Sequence, residues 1–161
     1  MINLKIKKVH PDAIVPSYAT SGAACFDLHA IWLSTAMRQP LLPGETMTIR
    51  TGLAFEIPEG YVMLIFSRSG HGFKHHVRLA NCVGVIDSDY RGEVLVKLRS
   101  DDELLPATDD DMAPDASVLS IGPGDRVAQA MLVPVPRVVF EVAQKLDETE
   151  RGSGGFGSTG V

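Results

Sequence analysis

The sequence predicts an all-β barrel or sandwich in which helix is a minor element. Apolar residues alternate with polar ones in short runs, as in segments 45–58, 61–66 and 81–98, and this period of two is typical of half-buried strands. Pro and Gly punctuate the runs, for example at Pro43-Gly44 and across 122–124. Many short strands at close spacing favour a closed or two-layered β fold.

Individual elements follow from the same pattern. Segments 45–58 and 61–66 predict strand, turn and strand, and segment 81–98 has two apolar runs joined by a polar turn, which indicates a hairpin. Segments 126–135 and 137–144 predict the closing strands. Only "SGHGFKHH", at 69–76, has room for a short helix, and its two glycines weaken that prediction.

Length and composition predict one soluble domain. The chain has 161 residues, of which 45% are hydrophobic and 22% charged, as is ordinary for a globular protein with a real core. No apolar run approaches the roughly 20 residues that span a bilayer, and the first residues lack the apolar block of a signal peptide. Cys25 and Cys82 are too few for a disulfide framework. We therefore expect a cytoplasmic protein without a membrane partner.

The net charge of −5 arises in one stretch, residues 101–117. Seven acidic residues and no Lys or Arg lie between 101 and 115, so the remainder of the chain carries +2. The stretch lacks the glycine and distal glutamate of an EF-hand loop, which favours a solvated surface loop over a metal site. Since no basic stripe with interleaved aromatic residues is present, nucleic-acid binding is not expected.

Two segments carry groups suited to phosphate oxygens. In "SRSG", Arg68 offers a planar donor fork, and Ser69 and Gly70 add a hydroxyl and an accessible backbone N–H. In "GDRVAQ", the amide of Gln129 can donate to an oxyanion. On these residues alone, a serine-capped turn and an ordinary turn before a strand are the favoured interpretations.

The aspartate in "GVIDSDY" follows an apolar strand directly. Asp87 in that position is suited either to capping the turn or to holding a proton or water for chemistry, and the sequence leaves the two evenly balanced. The C-terminal "RGSGGFGSTG" joins a cation, Arg151, and a ring, Phe156, to a glycine-rich segment. No helix follows, which excludes a Rossmann fingerprint and favours a mobile arm that closes over a base and a phosphate.

Together these segments resemble the five ordered motifs of trimeric-type dUTP pyrophosphatases (dUTPases). The third and fifth motifs are highly specific, and the five span nearly the whole chain. They are "SGAACFDLHA" at 21–30, "SRSG" at 67–70, "NCVGVIDSDYRGE" at 81–93, "GDRVAQ" at 124–129 and "RGSGGFGSTG" at 151–160.

The resemblance implies a jelly-roll-like β-barrel over residues 1–146, with 101–117 as an inserted loop, and an arm over 147–161 that closes on the active site. It also implies a homotrimer with active sites at subunit interfaces. The implied reaction converts dUTP and water to dUMP and pyrophosphate with Mg²⁺, which limits uracil in DNA and supplies dUMP for thymidylate synthesis.

The same resemblance assigns roles to single residues. Asp87 is expected to hold the attacking water as general base, and Tyr90 to lie against the deoxyribose, so that Tyr90→Ala erodes discrimination against UTP. Asp27 is expected to assist Mg²⁺ only through water, the metal being chelated by the triphosphate. The expected substrate-binding set is Arg68, Ser69, Gly70 and Gln129 at the phosphates, Asn81, Gly84, Val85, Ile86 and Leu95 at the uracil, and Arg151, Phe156, Gly157 and Ser158 in the arm.

Ser67 departs from the family, which commonly has proline there, and we expect only a modest effect on loop stiffness. Two alternatives remain beside the enzyme. One is a dUTPase-like regulatory trimer that binds nucleotide or a protein partner without turnover. The other, less favoured, is a relative of dCTP deaminase, which would not be expected to carry both the third and the fifth motif. Independently of these alternatives, the insertion at 101–117 is a candidate partner-binding loop alongside catalysis.

Overall fold

The computed structural model describes residues 2–31, 38–102, 118–155 and 158. Its regular elements are eleven strands and one helix. In chain order they are β1 Lys5–Lys8, β2 Phe26–His29, β3 Gln39–Pro40, β4 Thr46–Arg50, β5 Leu53–Glu56, β6 Tyr61–Phe66, α1 Ser69–His75, β7 Val77–Leu79, β8 Val83–Ile86, β9 Leu95–Ser100, β10 Ser120–Ile121 and β11 Arg126–Pro134. The predicted all-β class with one short helix is confirmed.

Two antiparallel sheets enclose the core. One has the strand order β2-β11-β6-β8 and the other β4-β9-β7, and the pairs β1-β5 and β10-β3 flank them. Buried side chains of both sheets belong to a single hydrophobic cluster, so the sheets pack face to face. In β9 buried and exposed residues alternate strictly, as the period of two requires.

The prediction of a hairpin over 81–98 is wrong. β8 pairs with β6, whereas β9 pairs with β4 and β7, so the two runs belong to different sheets. The connection between them is tied to the β4–β5 turn, because Glu93 accepts hydrogen bonds from Arg50 and from the Gly52 N–H, and the Val94 N–H donates to Leu53 O. These bonds direct β9 away from β8.

The strand predicted over 137–144 is not formed within the described chain. The last sheet-type bond runs from the Val135 N–H to Gly60 O at 2.8 Å, and the following residues pair with no described strand. Val139, Phe140 and Val142 are 97%, 92% and 99% exposed. An alternating apolar segment that meets no partner strand cannot bury its apolar face, which is why the pattern fails here.

Residues 103–117, which make up most of the acidic insertion, lie outside the described residues. At its start, Asp101 accepts from Arg78 Nε at 2.6 Å, and Arg99 Nε lies 3.3 Å from the same carboxylate. Phe156 and Gly157 of the arm also lie outside the described residues. In the described part of the chain no helix is long and apolar enough to span a membrane.

Candidate functional site

Strand register brings polar residues of β2 and β11 to the level at which β6 ends. Gln129 of β11 lies opposite Phe66 of β6 on one side and opposite Asp27 of β2 on the other. Arg68 follows β6 by two residues. The first, second and fourth motifs, far apart in sequence, therefore meet at one end of the sheet.

We call this cluster the arginine pocket; it is a cavity of about 380 Å³. Arg68 Nε donates to Asp27 Oδ1 at 3.1 Å, and Arg126 Nη1 donates to Asp27 Oδ2 at 3.2 Å. Gln129 Nε2 donates to Ser67 O at 2.9 Å. Two guanidinium groups against one carboxylate leave a net positive charge, which suits an anionic ligand. The lining residues are Ala19, Ala23, Ala24, Cys25, Asp27, Arg68, Ser69, Arg126 and Gln129.

The loop that carries Arg68 is held from behind by Ser67. The Leu79 N–H of β7 donates to Ser67 Oγ at 2.8 Å, while the Ser67 carbonyl accepts from Gln129. Ser69 and Gly70 open α1, and Ser69 lines the pocket while Gly70 lies beside it. The hydroxyl at position 67 thus gives the loop a hydrogen bond that the more usual proline cannot make.

Burial next to this cationic cluster depresses the basicity of two histidines. Burial, and then the Arg68 guanidinium, lower the pKa of His71 from 6.5 to about 4. Burial also lowers the pKa of His29, against the opposing effect of Asp27. The Nδ1 atoms of both rings are buried and have no hydrogen-bond partner among the described residues. Both side chains are therefore neutral near pH 7, and the positive charge of the pocket resides on the arginines.

A second cavity of about 270 Å³, the Tyr90 pocket, lies between the two runs of the third motif. Val85, Tyr90 and Leu95 are 61%, 44% and 54% exposed there, an unusually apolar surface to leave open to solvent. The carboxylate of Asp87 lies at the rim and makes no hydrogen bond within the described residues. The lining residues are Val85, Ile86, Asp87, Tyr90, Glu93, Val94 and Leu95.

Two of the residues expected at the uracil do not line this cavity. Gly84 is buried at the back, where an added Cβ would lie 3.1 Å from Ile65 Cβ. Asn81 is exposed in the turn before β8, where its carbonyl accepts from the Val83 N–H at 2.7 Å. Val85, Ile86 and Leu95 are brought together with Asp87 and Tyr90, as the sequence predicted.

The two pockets occupy opposite ends of β6. Ile86 pairs with Met63, which places Asp87 level with Val62, whereas Asp27 and Gln129 are level with Phe66. Four residues separate these levels, or about 13 Å at the ordinary strand rise. Arg68 also points across β11 towards β2, on the side of β6 away from β8. Within one chain, the two groups of predicted site residues do not meet.

The described part of the arm reaches neither pocket. Arg151 Nε donates to Gly154 O at 2.9 Å, and the Ser158 N–H donates to Gly155 O at 3.0 Å, so the arm forms local turns. Arg151 and Ser158 line a separate exposed cavity of about 540 Å³ with Thr149, Glu150 and Gly154.

Three residues with evident roles were not predicted from the sequence. Arg126 shares Asp27 with Arg68, Glu93 ties the third motif to the β4–β5 turn, and Ser67 holds the Arg68 loop. All three lie within the quoted motifs, at 67–70, 81–93 and 124–129, but the partner of each lies on another strand. Such partners become visible only with the register.

The model of the dUTPase family matches residues 11–103 and 112–160 of this chain. The chain belongs to the dUTPase family. Its enzyme class, expected from the motifs, is thereby confirmed. The segment between the two matched ranges, 104–111, lies within the acidic stretch at 101–117.

Curated relatives agree over the full length. The deoxyuridine 5'-triphosphate nucleotidohydrolase of Nautilia profundicola is 42% identical over 159 residues, covering 99% of both chains. The enzyme of the same name from Desulfitobacterium hafniense is 43% identical over 163 residues, covering 99% of this chain and 97% of the relative. Nearly full mutual coverage shows that the likeness extends over the barrel and the arm.

The fold is also found among solved dUTPases. A variant of the Staphylococcus bacteriophage 80alpha dUTPase with dUpNHpp superposes with a TM-score of 0.81 at 28% identity, covering 100% of both chains. The jelly-roll-like barrel expected from the motifs is therefore confirmed.

Proposed function

We propose that this dUTPase hydrolyses dUTP to dUMP and pyrophosphate, with Asp87 as the general base. The observation that carries the proposal is that Asp87, at the end of β8, shares a pocket with Tyr90 and Leu95. Its exposed carboxylate can accept a proton from water while the water oxygen attacks the α-phosphorus. The bond from the α-phosphorus to the bridging oxygen breaks, and pyrophosphate leaves with that oxygen.

The Tyr90 pocket fits the nucleoside end of dUTP. Its apolar, exposed walls suit a planar base, and backbone groups of segment 81–86 read the edge of uracil with Leu95 opposite. Because β8 is an edge strand, one side of its backbone N–H and C=O groups is not engaged in the sheet. Tyr90 lies against the deoxyribose and leaves no room for a 2'-hydroxyl.

The arginine pocket fits the triphosphate. Arg68, Ser69, Gly70 and Gln129 bind its oxygens, and Arg126, through Asp27, helps to hold Arg68 in place. Phosphoryl transfer depends mainly on positioning and on offsetting the charge of the oxygens, which arginine does through paired donors. The arm residues Arg151, Phe156, Gly157 and Ser158 are proposed to close over the bound nucleotide.

Because the pockets lie at opposite ends of β6, we propose that the active site forms between copies of the chain in a homotrimer. One copy supplies the Tyr90 pocket with Asp87, and a neighbour supplies the arginine pocket. The exposed apolar segment 137–146 supports this arrangement, since Val139, Phe140 and Val142 are not covered by any described residue of the same chain. A neighbouring copy would bury them.

The residues present fit a magnesium ion that is carried by the substrate. Among the described residues no three His, Cys, Asp or Glu side chains lie together, and Asp27 is the only carboxylate that lines the arginine pocket. Both oxygens of Asp27 bind guanidinium groups, which leaves it suited to contact Mg²⁺ through water and not directly. When bound, Mg²⁺ neutralises charge on the triphosphate oxygens.

The test is pyrophosphate release by the purified protein with Mg²⁺, comparing dUTP with dTTP, dCTP and UTP, and with Asp87→Asn in parallel. We expect hydrolysis of dUTP alone and a loss of at least about 100-fold in kcat in the variant, the range for a general base. Binding of the dUTP analogue dUpNHpp by the variant should persist, since Asp87 acts on water.

The regulatory alternative makes a different prediction in the same assay. Tight binding of dUTP without turnover, in the wild type as well as in Asp87→Asn, would support a binding protein that acts through a partner. Deletion of 103–115 would then be the next experiment, since a partner loop should lose its partner while nucleotide binding persists.

A further inference from the structure

We propose that Gly92 is a specificity-determining residue, because it provides the space in which the Tyr90 ring lies against the sugar of the nucleotide. This rests on the proposed contact between Tyr90 and the deoxyribose. The inference concerns what places the ring: an empty side-chain position, a tether on the ring hydroxyl, and an ion pair that anchors the tether.

The ring of Tyr90 occupies the space where a side chain at 92 would be. A Cβ added at Gly92 would lie 2.6 Å from Tyr90 Cζ and 3.0 Å from Cε2, and would meet the hydroxyl oxygen as well. Real Cβ atoms essentially never approach other atoms this closely, so the ring would have to move. At 44% exposure, Tyr90 has solvent on its other side and can rotate away.

The hydroxyl is tethered to the same strip of backbone. Tyr90 Oη donates to the Glu93 carbonyl oxygen at 3.0 Å, which folds the ring back over Gly92. A side chain at 92 would therefore do more than crowd the ring, because displacement also breaks this bond. The exposed ring would then sample other rotamers.

The tether itself is anchored to the second sheet. Arg50 Nε and Nη2 donate to Glu93 Oε2 at 2.9 and 2.6 Å, and the Gly52 N–H donates to Glu93 Oε1 at 2.8 Å. Although burial alone would raise it, the hydrogen bonds from Arg50 and Gly52 hold the pKa of Glu93 below its ordinary value. The ionised side chain thus fixes the carbonyl that holds Tyr90.

Space, and not backbone conformation, is the reason for glycine here. Gly92 is not among the glycines with a positive φ, so alanine is permitted by the backbone. The clash falls on the far end of an exposed side chain. We therefore expect Gly92→Ala to fold, with its effect concentrated in the position of Tyr90.

The experiment measures kcat/KM for dUTP and for UTP in the wild type, Gly92→Ala, Tyr90→Ala and the double variant. Gly92→Ala should raise the ratio of kcat/KM for UTP to kcat/KM for dUTP by about tenfold or more. This lies within the range by which a pocket rejects an added hydroxyl. In the Tyr90→Ala background the same change should have no further effect, since the ring it displaces is gone.

Gly72→Ala is the matched control. Its added methyl would meet only Val77 O, at 4.0 Å, and it lies in α1, which begins at Ser69 of the proposed site for the triphosphate that dUTP and UTP share. The ratio of kcat/KM for UTP to kcat/KM for dUTP should be the same in Gly72→Ala as in the wild type, whatever the effect of the change on kcat. Thermal unfolding of each variant checks the fold, and Tyr90→Phe, which removes only the tether, should give an intermediate ratio if Gly92→Ala fails to fold.

The outcomes separate this inference from the function on which it rests. A wild type that does not distinguish dUTP from UTP overturns both the role of Tyr90 and that of Gly92. Lost discrimination in Tyr90→Ala with an unchanged ratio in Gly92→Ala overturns the inference alone. So does an effect of Gly92→Ala that persists in the Tyr90→Ala background, because the residue would then act by another route.

Discussion

The hydroxyl of Ser67 satisfies a backbone group that the fold would otherwise leave unpaired. The Leu79 N–H donates to it, and Leu79 is 2% exposed, so water cannot easily replace the bond. Ser67→Ala should lower the free energy of unfolding by about 1–3 kcal/mol, the cost of an unsatisfied buried donor. Urea unfolding measures this, with the exposed Ser17→Ala as control. Equal effects of the two changes would contradict the assignment.

His71 makes stability depend on pH in a window set by its own titration. Its folded pKa of about 4 lies below the ordinary 6.5, because of burial and then the Arg68 guanidinium, with His75 and Arg126 adding to the shift and Asp125 opposing it. As the pH falls from 6.5 towards 4, His71 becomes protonated in the unfolded chain but stays neutral in the folded chain. Acidification in this window therefore favours unfolding.

His71→Leu should flatten that dependence. The fall in Tm between pH 7 and 5 is expected to be smaller in the variant than in the wild type, whatever the change in Tm at pH 7. His76→Asn, at an exposed histidine with φ of 47°, is the control because asparagine tolerates that backbone conformation. Parallel Tm curves for the wild type and His71→Leu would show that the ring titrates normally.

Asp87 and Arg126 show what single residues reveal without a structure. Asp87 could be singled out because a carboxylate directly after an apolar run has few reasons to be there. Arg126 gave no such signal, since an exposed arginine at the start of a strand is unremarkable. Its partner, Asp27, is 99 positions away in sequence.

At the scale of elements, the β4–β5 turn requires glycine for two separable reasons. Gly52 has a φ of +67°, and an added Cβ would lie 2.8 Å from Ala13 Cβ and 2.9 Å from Ile31 Cδ1. Gly52→Ala should therefore cost about 1 kcal/mol for the left-handed backbone and about 1–3 kcal/mol for overpacking.

Gly44→Ala separates the two costs. Gly44 has a similar φ of +73° with nothing within 4 Å of an added Cβ, so it carries the backbone cost alone. Urea unfolding of both variants gives the overpacking cost as their difference. No difference between them would mean that Ala13 and Ile31 yield freely to the methyl.

The third motif shows why strand existence was predictable and pairing was not. Both apolar runs of 81–98 are strands, at Val83–Ile86 and Leu95–Ser100, because alternation is a local property. Their partners depend on Arg50, Gly52 and Leu53, which hold the connection from another part of the chain. The strand prediction for segment 137–144 failed for a related reason, since the segment pairs with no strand in the described part of the chain.

At the scale of the whole molecule, the division of the site between the ends of β6 can be tested by mixing chains. Asp87→Asn lacks the proposed base, and Arg68→Leu lacks the phosphate contact, so each alone should be inactive. Unfolded together and refolded at equal amounts, they should recover about a quarter of wild-type activity, because about a quarter of interfaces in a closed ring join two intact halves.

The control is each variant refolded alone by the same procedure. An inactive mixture in which mixed trimers are shown by mass spectrometry would place the whole site in one chain. The segments that could build such a site were recognisable from sequence because each motif is local. Their proposed allocation between copies was not recognisable from sequence, since it is inferred from the register of β6 with β8 and β11.

The proposed division of each active site between two copies of the chain has a genetic consequence. If every chain lends half a site to each of two neighbours, a chain defective in both halves silences both interfaces that it borders. Activity in a mixed population then falls as the square of the fraction of intact chains and not in proportion to it. A cell that makes equal amounts of intact and doubly defective chains would keep about a quarter of its activity, so such an allele would be partly dominant.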